Sequence, residues 1–397
     1  MEKPVQIIGA YNTKFGKLEE QTLYSLYAEA AIGAIDDAGI EAKDIDGIFV
    51  GNYSGGAFNN QEHIAPFGVN ILPELRHKPM YRTENACASG SSAVHMAIMA
   101  IQSGMMDNAL VIGVEKMNTL NTKDTTRALS MASYWPIEGN EQYTFPGLFA
   151  EYAKGWMAKF GYSEAQLRNW LAQISAKAYT YAANNPLAHI QKVRTAEEIL
   201  ALPDEKNPMI AYPLRLHDCS LISDGAAGIV ISRGYGLNLK SNVEIAGFYN
   251  ASDYLDLANG KRPNFLLEGA AFAVEKSLKM AGVKIKDIQV AEVHDCFTIT
   301  ELLIYSAMGL AKSGREFEVL ESGDVLLGGK CVINPSGGLK AKGHPVGATG
   351  VSMHALIYKQ LLGEAIGKQV KNAETGMTLN IGGSGASNMI SVIRRIA

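Results

Sequence analysis

Apolar residues form three short runs in the first 115 positions, and each run has the length of a β-strand. The first two runs are Val5–Ala10 and Ile45–Gly51. The third, Ala109–Val114, is apolar without a break, which is typical of a strand that other elements cover on both faces. The pattern therefore predicts strands here, the third in the interior of a sheet.

Helical periodicity separates these strands. Apolar residues recur every three or four positions over Leu23–Ile35, which predicts an amphipathic helix ending near Gly39. We predict a second helix through residues 60–70 and a third whose apolar positions span 93–101. This alternation of strands and helices indicates an α/β layered fold.

The segment from about 117 to 215 interrupts the alternation, because it is richer in polar and aromatic residues. Within it, Ser163 and Gln166 have the spacing of a capping box that begins a helix. Strand character returns over residues 224–232. We interpret 117–215 as an insertion between two strands that pair with each other. Such an insertion is consistent with a lid that covers a site and equally with a segment that forms an interface.

The second part of the chain resembles the first. Residues 38–45 match residues 281–288, a shift of 243 positions (281 against 38). Residues 88–92 resemble residues 348–352, a shift of 260 positions (348 against 88). Each of these two segments begins a stretch of helical periodicity. Since only one long period is present, the sequence predicts a duplicated domain and not a solenoid.

The C-terminal segments 377–381 and 389–393 predict a hairpin that matches the strand pair flanking the insertion. We therefore divide the chain into an N-terminal half, residues 1–240, which contains the insertion, and a C-terminal half, residues 241–397.

Composition narrows the class of protein. The 397 residues are 47% hydrophobic and 19% charged, which is ordinary for a globular protein, and a net charge of −4 suggests no nucleic acid or anionic membrane as partner. No apolar run approaches the roughly 18 residues that span a bilayer. We interpret the N-terminus, Met1–Pro4, as leading into a first strand and not as a signal peptide.

The four cysteines show no paired spacing, which disfavours a disulfide framework or a zinc site and suits a reducing cytoplasm. Among them, Cys87 lies among small residues directly before a predicted helix. A helix N-terminus favours a thiolate, so Cys87 is a candidate nucleophile, although a small buried hydrophobe is an equal alternative on this stretch alone.

Two further segments carry chemically useful groups. His294, Asp295 and Cys296 follow the strand that ends at Val293, at the end of a strand where ligands gather in α/β sheets. A second histidine, His344, stands between Gly343 and Pro345, just before the helix that echoes the Cys87 helix. If the halves pack with pseudo-twofold symmetry, the two helix N-termini meet and bring Cys87 together with His344.

The turn from Asn380 to Gly385 is rich in glycine, so its backbone N–H groups are unobstructed, as an oxyanion hole requires; a tight hairpin requires the same. Cys219 and Cys331 have no such setting, and we interpret both as structural. The pattern alone assigns no role to histidines 63, 77, 95, 189, 217 and 354, although His217 lies close to the return of the insertion.

Taken in order, the loop around Cys87, the segment His294–Phe297, and the segment from Asn334-Pro335-Ser336-Gly337-Gly338 to Gly343-His344-Pro345 resemble the thiolases over essentially the whole chain. The branch that includes the thiolase domain of sterol carrier protein x and the archaeal acetoacetyl-CoA thiolases is the most similar. The resemblance implies the thiolase fold: two duplicated βαβαβαββ halves in a layered α-β-α-β-α arrangement with an inserted loop domain.

The resemblance also implies roles for single residues. Cys87 resembles the nucleophile that takes the acyl group, and His344 the histidine that activates it. Cys296 resembles the second acid/base, which removes the α-proton of the second acetyl-CoA, and His294 takes the place of an asparagine that helps to stabilise the enolate. The N–H groups of Cys87 and Gly383 are similar to the pair that binds the oxygen of the tetrahedral intermediate.

By the same resemblance, Asn380, Ser384 and Ser336 are candidates for oxyanion or substrate binding. One departure from the commoner thiolases is informative: they carry the acid/base cysteine in the C-terminal glycine loop, but no cysteine follows position 331 here. The second thiol must come from elsewhere, and Cys296 is the available one. This substitution is itself characteristic of the branch.

The implied activity is that of an acetyl-CoA C-acetyltransferase, which joins two acetyl-CoA molecules into acetoacetyl-CoA or runs the reverse thiolysis, without a metal or a cofactor other than coenzyme A thioesters. A decarboxylating ketosynthase-like enzyme and a non-catalytic scaffold subunit are the alternatives. Tyr134, Tyr143, Phe145 and Phe149 are candidate walls of the acyl pocket.

The resemblance further implies a cytoplasmic homodimer or homotetramer and a complex with a hydroxymethylglutaryl-CoA synthase and a small bridging protein. The net charge and the lack of a long apolar run predict no nucleic acid and no membrane as partner.

Overall fold

A computed structural model describes residues 4–234 and 242–396 of the chain. The predicted boundary between residues 240 and 241 and the first three residues of the predicted N-terminal segment lie outside this part.

The described part of the chain contains twelve strands: β1 (Gln6–Asn12), β2 (Gly47–Gly51), β3 (Met80–Thr83), β4 (Asn108–Glu115), β5 (Met209–Ala211), β6 (Leu214–Arg215), β7 (Gly225–Ser232), β8 (Val243–Ser252), β9 (Val290–Val293), β10 (Val332–Ile333), β11 (Thr375–Gly382) and β12 (Ser387–Arg395). All except β5 and β6 belong to one sheet, in the order β10-β9-β11-β12-β8-β1-β7-β4-β2-β3.

The sheet consists of two five-stranded units with the same internal order. From the centre outward, β1, β7, β4, β2 and β3 correspond to β8, β12, β11, β9 and β10. Only two residue pairs, Gln6 with Glu244 and Ile7 with Val243, join β1 to β8. The strands on either side of the insertion, β4 and β7, pair antiparallel as predicted, and β11 and β12 form the predicted C-terminal hairpin.

Within residues 4–234 and 242–396 there are thirteen α-helices: α1 (Leu23–Ala38), α2 (Gly55–Asn59), α3 (Phe67–Ile71), α4 (Ser89–Gln102), α5 (Thr122–Ser130), α6 (Trp135–Glu138), α7 (Phe145–Phe160), α8 (Glu164–Ala182), α9 (Ala196–Leu200), α10 (Glu268–Ala281), α11 (Thr298–Ala307), α12 (Phe317–Glu321) and α13 (Val346–Leu362). Short 3₁₀ turns cover Ala42–Asp44, Pro73–Leu75, Leu216–Asp218 and Ile285–Asp287, and a π-type turn covers Gly338–Lys342. None of these helices combines the length and the apolar character that a membrane span requires.

The helices complete a layered arrangement. The central helices α4 and α13 pack against each other and against strands of both units, while α1 covers the outer face of one unit and α10 that of the other. Nearly every residue of α13 is buried, as expected for a helix that packs against both five-stranded units of the sheet. The α/β fold with two similar halves and a layered arrangement is therefore the one that the sequence predicted.

Small residues let the two central helices approach closely at their N-termini. A Cβ on Gly90 would lie 2.7 Å from the carbonyl oxygen of Gly347, and a Cβ on Gly350 would lie 2.1 Å from the backbone nitrogen of Ser91. Real Cβ atoms do not approach this closely, so glycine is required at both positions. This crossing brings the segment before α4 next to the segment before α13.

One local prediction needs correction, and one is confirmed. The helix predicted through residues 60–70 is wrong: α2 ends at Asn59, Asn60 has a left-handed φ of 54°, and a separate helix, α3, begins only after Pro66. A left-handed residue ends a helix, so the apolar spacing there reflects two short helices. The insertion contains α5 to α9, β5 and β6, and Ser163 begins α8 with the predicted capping box.

Candidate active site

Cys87 lies in the loop between β3 and α4, two residues before the helix begins. Its neighbour Ala86 has φ of 50°, a left-handed conformation that is uncommon outside glycine and typical of functional loops. The Ser89 hydroxyl donates to the Ala86 carbonyl oxygen at 2.6 Å and accepts the Asn85 N–H at 2.9 Å. These bonds hold the turn in which the thiol stands.

Burial raises the pKa of the Cys87 thiol to about 12. The Glu115 and Glu84 carboxylates add to the rise, whereas the backbone N–H groups of Cys87 and Gly383, which both interact with the sulfur, oppose it. The expectation that the helix N-terminus favours a thiolate is therefore corrected, because desolvation outweighs the N–H groups. At neutral pH Cys87 is a thiol that needs a base.

His344 presents a free lone pair. Its Nδ1 lies 2.7 Å from the Thr349 hydroxyl oxygen, and that hydroxyl donates its single proton to the Pro345 carbonyl oxygen at 3.0 Å. With the hydroxyl proton assigned to Pro345, the Thr349 oxygen accepts the His344 Nδ1–H and Nε2 is the unprotonated nitrogen. Burial lowers the pKa of His344 well below its usual value, so the ring is neutral and Nε2 can act as a base.

His294 has the opposite tautomer. Its Nδ1 lies 3.1 Å from Asn380 Nδ2, which also donates to the Cys87 carbonyl oxygen at 3.1 Å, while Asn380 Oδ1 accepts the Ser91 hydroxyl at 2.9 Å. Since an amide nitrogen only donates, His294 Nδ1 accepts and the proton of the neutral ring is on Nε2. Burial lowers the pKa of His294 to about 3, which keeps the ring neutral.

The two rings stand edge to face with centroids 5.1 Å apart. One ring nitrogen of each histidine and the Cys87 sulfur lie within 4.8 Å of one another. In the described part of the chain, Nε2 of His294 and Nε2 of His344 are both buried without a hydrogen-bond partner. One cysteine and two histidines are also donors that zinc accepts, so these three are the residues that could hold a metal ion.

Cys296 follows β9 by three residues and lines the same cavity as Cys87 and His344. Its sulfur lies 3.9 Å from the Thr300 hydroxyl oxygen, and burial together with the nearby Cys87 raises the pKa of its thiol well above the usual value. A thiol of this kind becomes a strong base once it has given up its proton. The structure thus brings the four predicted groups together.

Asp295, between His294 and Cys296, acts on the backbone instead. Its carboxylate accepts the N–H groups of Leu339 at 2.6 Å and Lys340 at 3.4 Å, within the turn that precedes His344. A Cβ on Gly338 would lie 2.1 Å from the same carboxylate. Asp295 therefore fixes the approach of the His344 loop to the strand that carries His294.

The remaining candidates divide into two groups. Gly383 contributes its N–H to the Cys87 sulfur, and Asn380 orients His294. The Ser384 hydroxyl instead accepts from Arg262, and the Ser336 hydroxyl donates to Glu292 at 2.7 Å. Each hydroxyl thus has a buried charged partner, and the role of Ser384 and Ser336 in oxyanion or substrate binding stays a prediction.

A cavity of about 110 Å³ opens beside the sulfur of Cys87. Its wall is mostly apolar and is lined by Cys87, Met117, Leu129, Phe145, Pro146, Cys219, Ser220, Leu221, Ile222, Cys296, Phe297, His344 and Val346. The first part of the insertion and the segment 219–222, which follows the insertion, both contribute to this wall. A short acyl group attached to Cys87 would lie against hydrocarbon and away from water.

Of the four aromatic residues predicted as walls, Phe145 lines the cavity and Phe149 supports it from behind by stacking on Phe297, with ring centroids 4.7 Å apart. Tyr134 is 42% exposed, and Tyr143 lines a separate surface cavity, so these two predictions are wrong. Cys219, interpreted as structural, lines the cavity. The sequence around Cys219 has no pattern that indicates this position, because Cys219 reaches the cavity wall through its pairing with Phe297, which is remote in sequence.

Glu115 is a further residue that sequence reasoning missed. This carboxylate accepts from Asn52 Nδ2 at 3.0 Å and from the backbone N–H groups of Tyr53, Ser54 and Gly347 at 2.8, 3.2 and 3.1 Å. It thereby joins the end of β4 to the loop after β2 and to the N-terminus of α13. In the sequence, Glu115 is a single acidic residue at the end of a continuous apolar strand, and this position is the signal that could have identified it.

Comparison with known proteins agrees with this architecture. The thiolase N-terminal domain family matches residues 5–192 and the thiolase C-terminal domain-like family matches residues 254–395. An acetyl-CoA acetyltransferase of Methanothermobacter thermautotrophicus is 37% identical over 99% of this chain and 100% of that protein. Sterol carrier protein 2 of Gallus gallus is 31% identical over 97% of this chain and 71% of that protein.

Among solved structures, human mitochondrial 3-ketoacyl-CoA thiolase in complex with CoA superimposes with a TM-score of 0.74 at 18% identity, covering 100% of this chain and 98% of that one. This likeness concerns the fold alone. The two family matches and the sequence relatives establish that the chain belongs to the thiolase family.

Proposed function

We propose that the protein is an acetyl-CoA C-acetyltransferase, which condenses two acetyl-CoA molecules to acetoacetyl-CoA and CoA or catalyses the reverse thiolysis. The observation that carries this proposal is the pair of neutral histidines with opposite tautomers beside two thiols and one small apolar cavity. The archaeal acetyl-CoA acetyltransferase at 37% identity supports the same activity.

In the first half-reaction, His344 Nε2 takes the proton of Cys87 as the sulfur attacks the thioester carbonyl carbon. The oxygen becomes negative in the tetrahedral intermediate and accepts the N–H groups of Cys87 and Gly383, which already face the sulfur. The carbon–sulfur bond to CoA breaks, and the CoA thiolate takes the proton of Cys296. This leaves an acetyl group on Cys87 and a thiolate at Cys296.

In the second half-reaction, the Cys296 thiolate removes the α-proton of a second acetyl-CoA. The enolate oxygen accepts His294 Nε2–H, the donor that Asn380 holds in place. The carbanion attacks the acetyl carbon on Cys87, the carbon–sulfur bond breaks, and the Cys87 thiolate recovers its proton from His344. Both thiols and both histidines thus return to their initial protonation states.

A ketosynthase-like condensing enzyme would share Cys87, His294 and His344, but decarboxylation creates its carbanion without a base. Cys296 in the cavity wall favours the thiolase reaction. The test compares acetoacetyl-CoA formation from acetyl-CoA alone and from acetyl-CoA with malonyl-CoA, in the wild type and in Cys296→Ala. A thiolase uses acetyl-CoA alone and loses that activity in the variant. Malonyl-dependent condensation that survives in Cys296→Ala would favour the ketosynthase alternative.

A scaffold subunit is the alternative from another class of function. Acetyl-CoA and CoA turnover by the purified chain would exclude it, and the absence of acyl transfer with acyl-CoAs of any length would favour it. We propose short acyl-CoA substrates, because an apolar cavity of about 110 Å³ suits a small acyl group.

We also propose that the protein self-associates as a dimer or tetramer, acts in the cytoplasm without a metal or cofactor beyond CoA thioesters, and forms a complex with a hydroxymethylglutaryl-CoA synthase and a small bridging protein. The family resemblance supports these statements. Light scattering of the purified chain tests self-association, and co-purification with the two named partners tests the complex.

A further inference from the structure

The loop Gly382–Gly385 carries an N–H group that faces the Cys87 sulfur, yet glycine side chains cannot hold a loop in place. Gly383 and Gly385 have φ values of 62° and 109°, in the left-handed region. Because glycine has the largest conformational freedom of the residues, the position of the Gly383 N–H depends on contacts made by other atoms of the loop. Ser384 is the one residue of the four that has a side chain.

Arg262 holds Ser384 at two atoms. Its Nη1 donates to the Ser384 carbonyl oxygen at 2.7 Å and its Nη2 donates to the Ser384 hydroxyl oxygen at 2.5 Å. The Tyr152 hydroxyl donates to the same carbonyl oxygen at 2.9 Å and accepts from Arg262 Nη1 at 3.1 Å. A Cβ on Gly385 would lie 2.7 Å from Nη1, so glycine at this position makes room for the guanidinium.

Among the described residues, the charge of Arg262 has no close counter-ion. The residue is 5% exposed, and within residues 4–234 and 242–396 no carboxylate oxygen lies within 4.0 Å of its guanidinium nitrogens. A buried charge without a counter-ion destabilises the folded state, whereas neutral hydrogen-bonding groups could hold a loop in place at a lower energetic cost. A purely structural role in holding the loop therefore does not explain why this residue carries a positive charge.

We propose that Arg262 is a positioning residue of the oxyanion hole, where it fixes the Gly383 N–H toward the thioester oxygen and adds positive potential behind it. The proposal rests on the proposed function, because the oxyanion forms when Cys87 is acylated. Negative charge develops on the thioester oxygen in the transition state, and a fixed cation in a dry site favours that charge more than the neutral ground state. We expect the same cation to favour the Cys87 thiolate over the thiol, against the opposing effects of burial and of the Glu115 and Glu84 carboxylates.

The test compares Arg262→Gln, Arg262→Lys and Tyr152→Phe. The first removes the charge, the second keeps the charge and loses the paired geometry, and the third removes a neutral donor to the same carbonyl oxygen. Two rates are measured per folded molecule: single-turnover acetylation of Cys87 by acetyl-CoA, and alkylation of Cys87 by iodoacetamide as a function of pH. The KM for acetyl-CoA is measured in parallel.

We expect acetylation in Arg262→Gln to be slower by about 10²-fold, comparable to the loss of one oxyanion donor, with KM nearly unchanged. We also expect its alkylation profile to move to higher pH, because the proposed positive potential near the thiolate is lost. Arg262→Lys acetylates more slowly but keeps the alkylation profile, and Tyr152→Phe keeps the profile with a smaller rate loss. Should Arg262→Gln fail to fold, Arg262→Lys still tests the positioning role.

A purely structural role predicts lower thermal stability in Arg262→Gln and Tyr152→Phe alike, with wild-type rates per folded molecule. Either an unchanged acetylation rate or an unchanged alkylation profile in Arg262→Gln would overturn the proposal. Failure of the proposed function looks different: the wild type itself forms no acetyl-enzyme. The positioning role then falls with it, and the shift of the alkylation profile alone would remain as evidence for the charge effect.

Discussion

His294 and His344 face each other edge to face with ring centroids 5.1 Å apart, and their hydrogen bonds fix them in opposite tautomers. One Nε2 therefore offers a proton and the other offers a lone pair. Base catalysis on a thiol and stabilisation of an enolate need these two different properties. Asn380 and Thr349, which bind the two Nδ1 atoms, decide which histidine has which property.

Asn380→Ala should slow condensation far more than acetylation of Cys87. Loss of the amide frees His294 Nδ1 to take the proton, so Nε2–H is no longer available for the enolate oxygen. We expect condensation to fall by about 10²-fold and acetylation by less than about tenfold. Ser91→Ala, which removes only the bond that orients the amide, is the matched control with a smaller effect. Equal losses in both half-reactions would contradict the assignment of His294.

Thr349→Val should slow the acetylation of Cys87. Valine cannot accept the His344 Nδ1–H, so the tautomer with a lone pair on Nε2 loses its support. One hydrogen bond contributes about 1 kcal/mol, which corresponds to a loss of about five- to tenfold. Thr349→Ser keeps the hydroxyl and should restore the rate, measured as the CoA burst on rapid mixing with acetyl-CoA. A serine variant as slow as the valine variant would mean that the methyl group matters instead.

Phe145→Ala should widen the acyl-chain preference. The side chain is buried in the cavity wall, so its removal adds space beside Cys87 at a cost of about 3 kcal/mol in stability. We expect the ratio of kcat/KM for hexanoyl-CoA to that for acetyl-CoA to rise about tenfold. Tyr134→Ala is the control, because Tyr134 is 42% exposed and should leave the ratio unchanged. An unchanged ratio in Phe145→Ala would place the acyl pocket elsewhere.

His95 predicts a pH effect on stability. Burial, with the neighbouring His354, lowers the pKa of His95 to about 3, and His95 Nε2 lies 3.0 Å from the Ser391 hydroxyl oxygen between α4 and β12. A lowered histidine pKa means that the unfolded state binds the proton first, so stability is retained above pH 6.5 and falls as the pH falls below it.

Comparison with His95→Gln isolates this contribution, because the other titrating groups, among them His354, are common to both proteins. Between pH 7.5 and pH 5 the wild type should lose about 2 kcal/mol more unfolding free energy than the variant, measured by urea denaturation. A pH-independent difference between the two proteins would show that His95 is not buried as a neutral ring.

The meeting of Cys87 and His344 could be predicted because the duplication repeats one local pattern, a loop of small residues that opens a buried helix. The match of residues 38–45 with 281–288 also has a structural counterpart, since the 3₁₀ turns at Ala42–Asp44 and Ile285–Asp287 lie 243 positions apart (285 against 42). A sequence pattern that recurs along the chain indicates a local structure that recurs as well. Because the two halves pack with pseudo-twofold symmetry, the two copies of this local structure meet and form one site.

Glu115, Arg262 and Cys219 could not be predicted in the same way. Their partners are remote in sequence: Glu115 binds Gly347, Arg262 binds Ser384, and Cys219 pairs with Phe297. The thiolate expectation for Cys87 failed for a related reason. A helix N-terminus is visible in the sequence, whereas the desolvation that raises the thiol pKa depends on how the insertion covers the loop.

The central claim is that Cys87 accepts the acyl group and Cys296 moves protons. It is tested most directly by mixing the protein with acetyl-CoA, measuring its intact mass and mapping the adduct to a peptide, with Cys87→Ala and Cys296→Ala in parallel. The wild type and Cys296→Ala should each carry one acetyl group on Cys87, Cys87→Ala should carry none, and Cys296→Ala should form no acetoacetyl-CoA. An acetyl group on Cys296, or none on folded wild-type protein, would contradict the account.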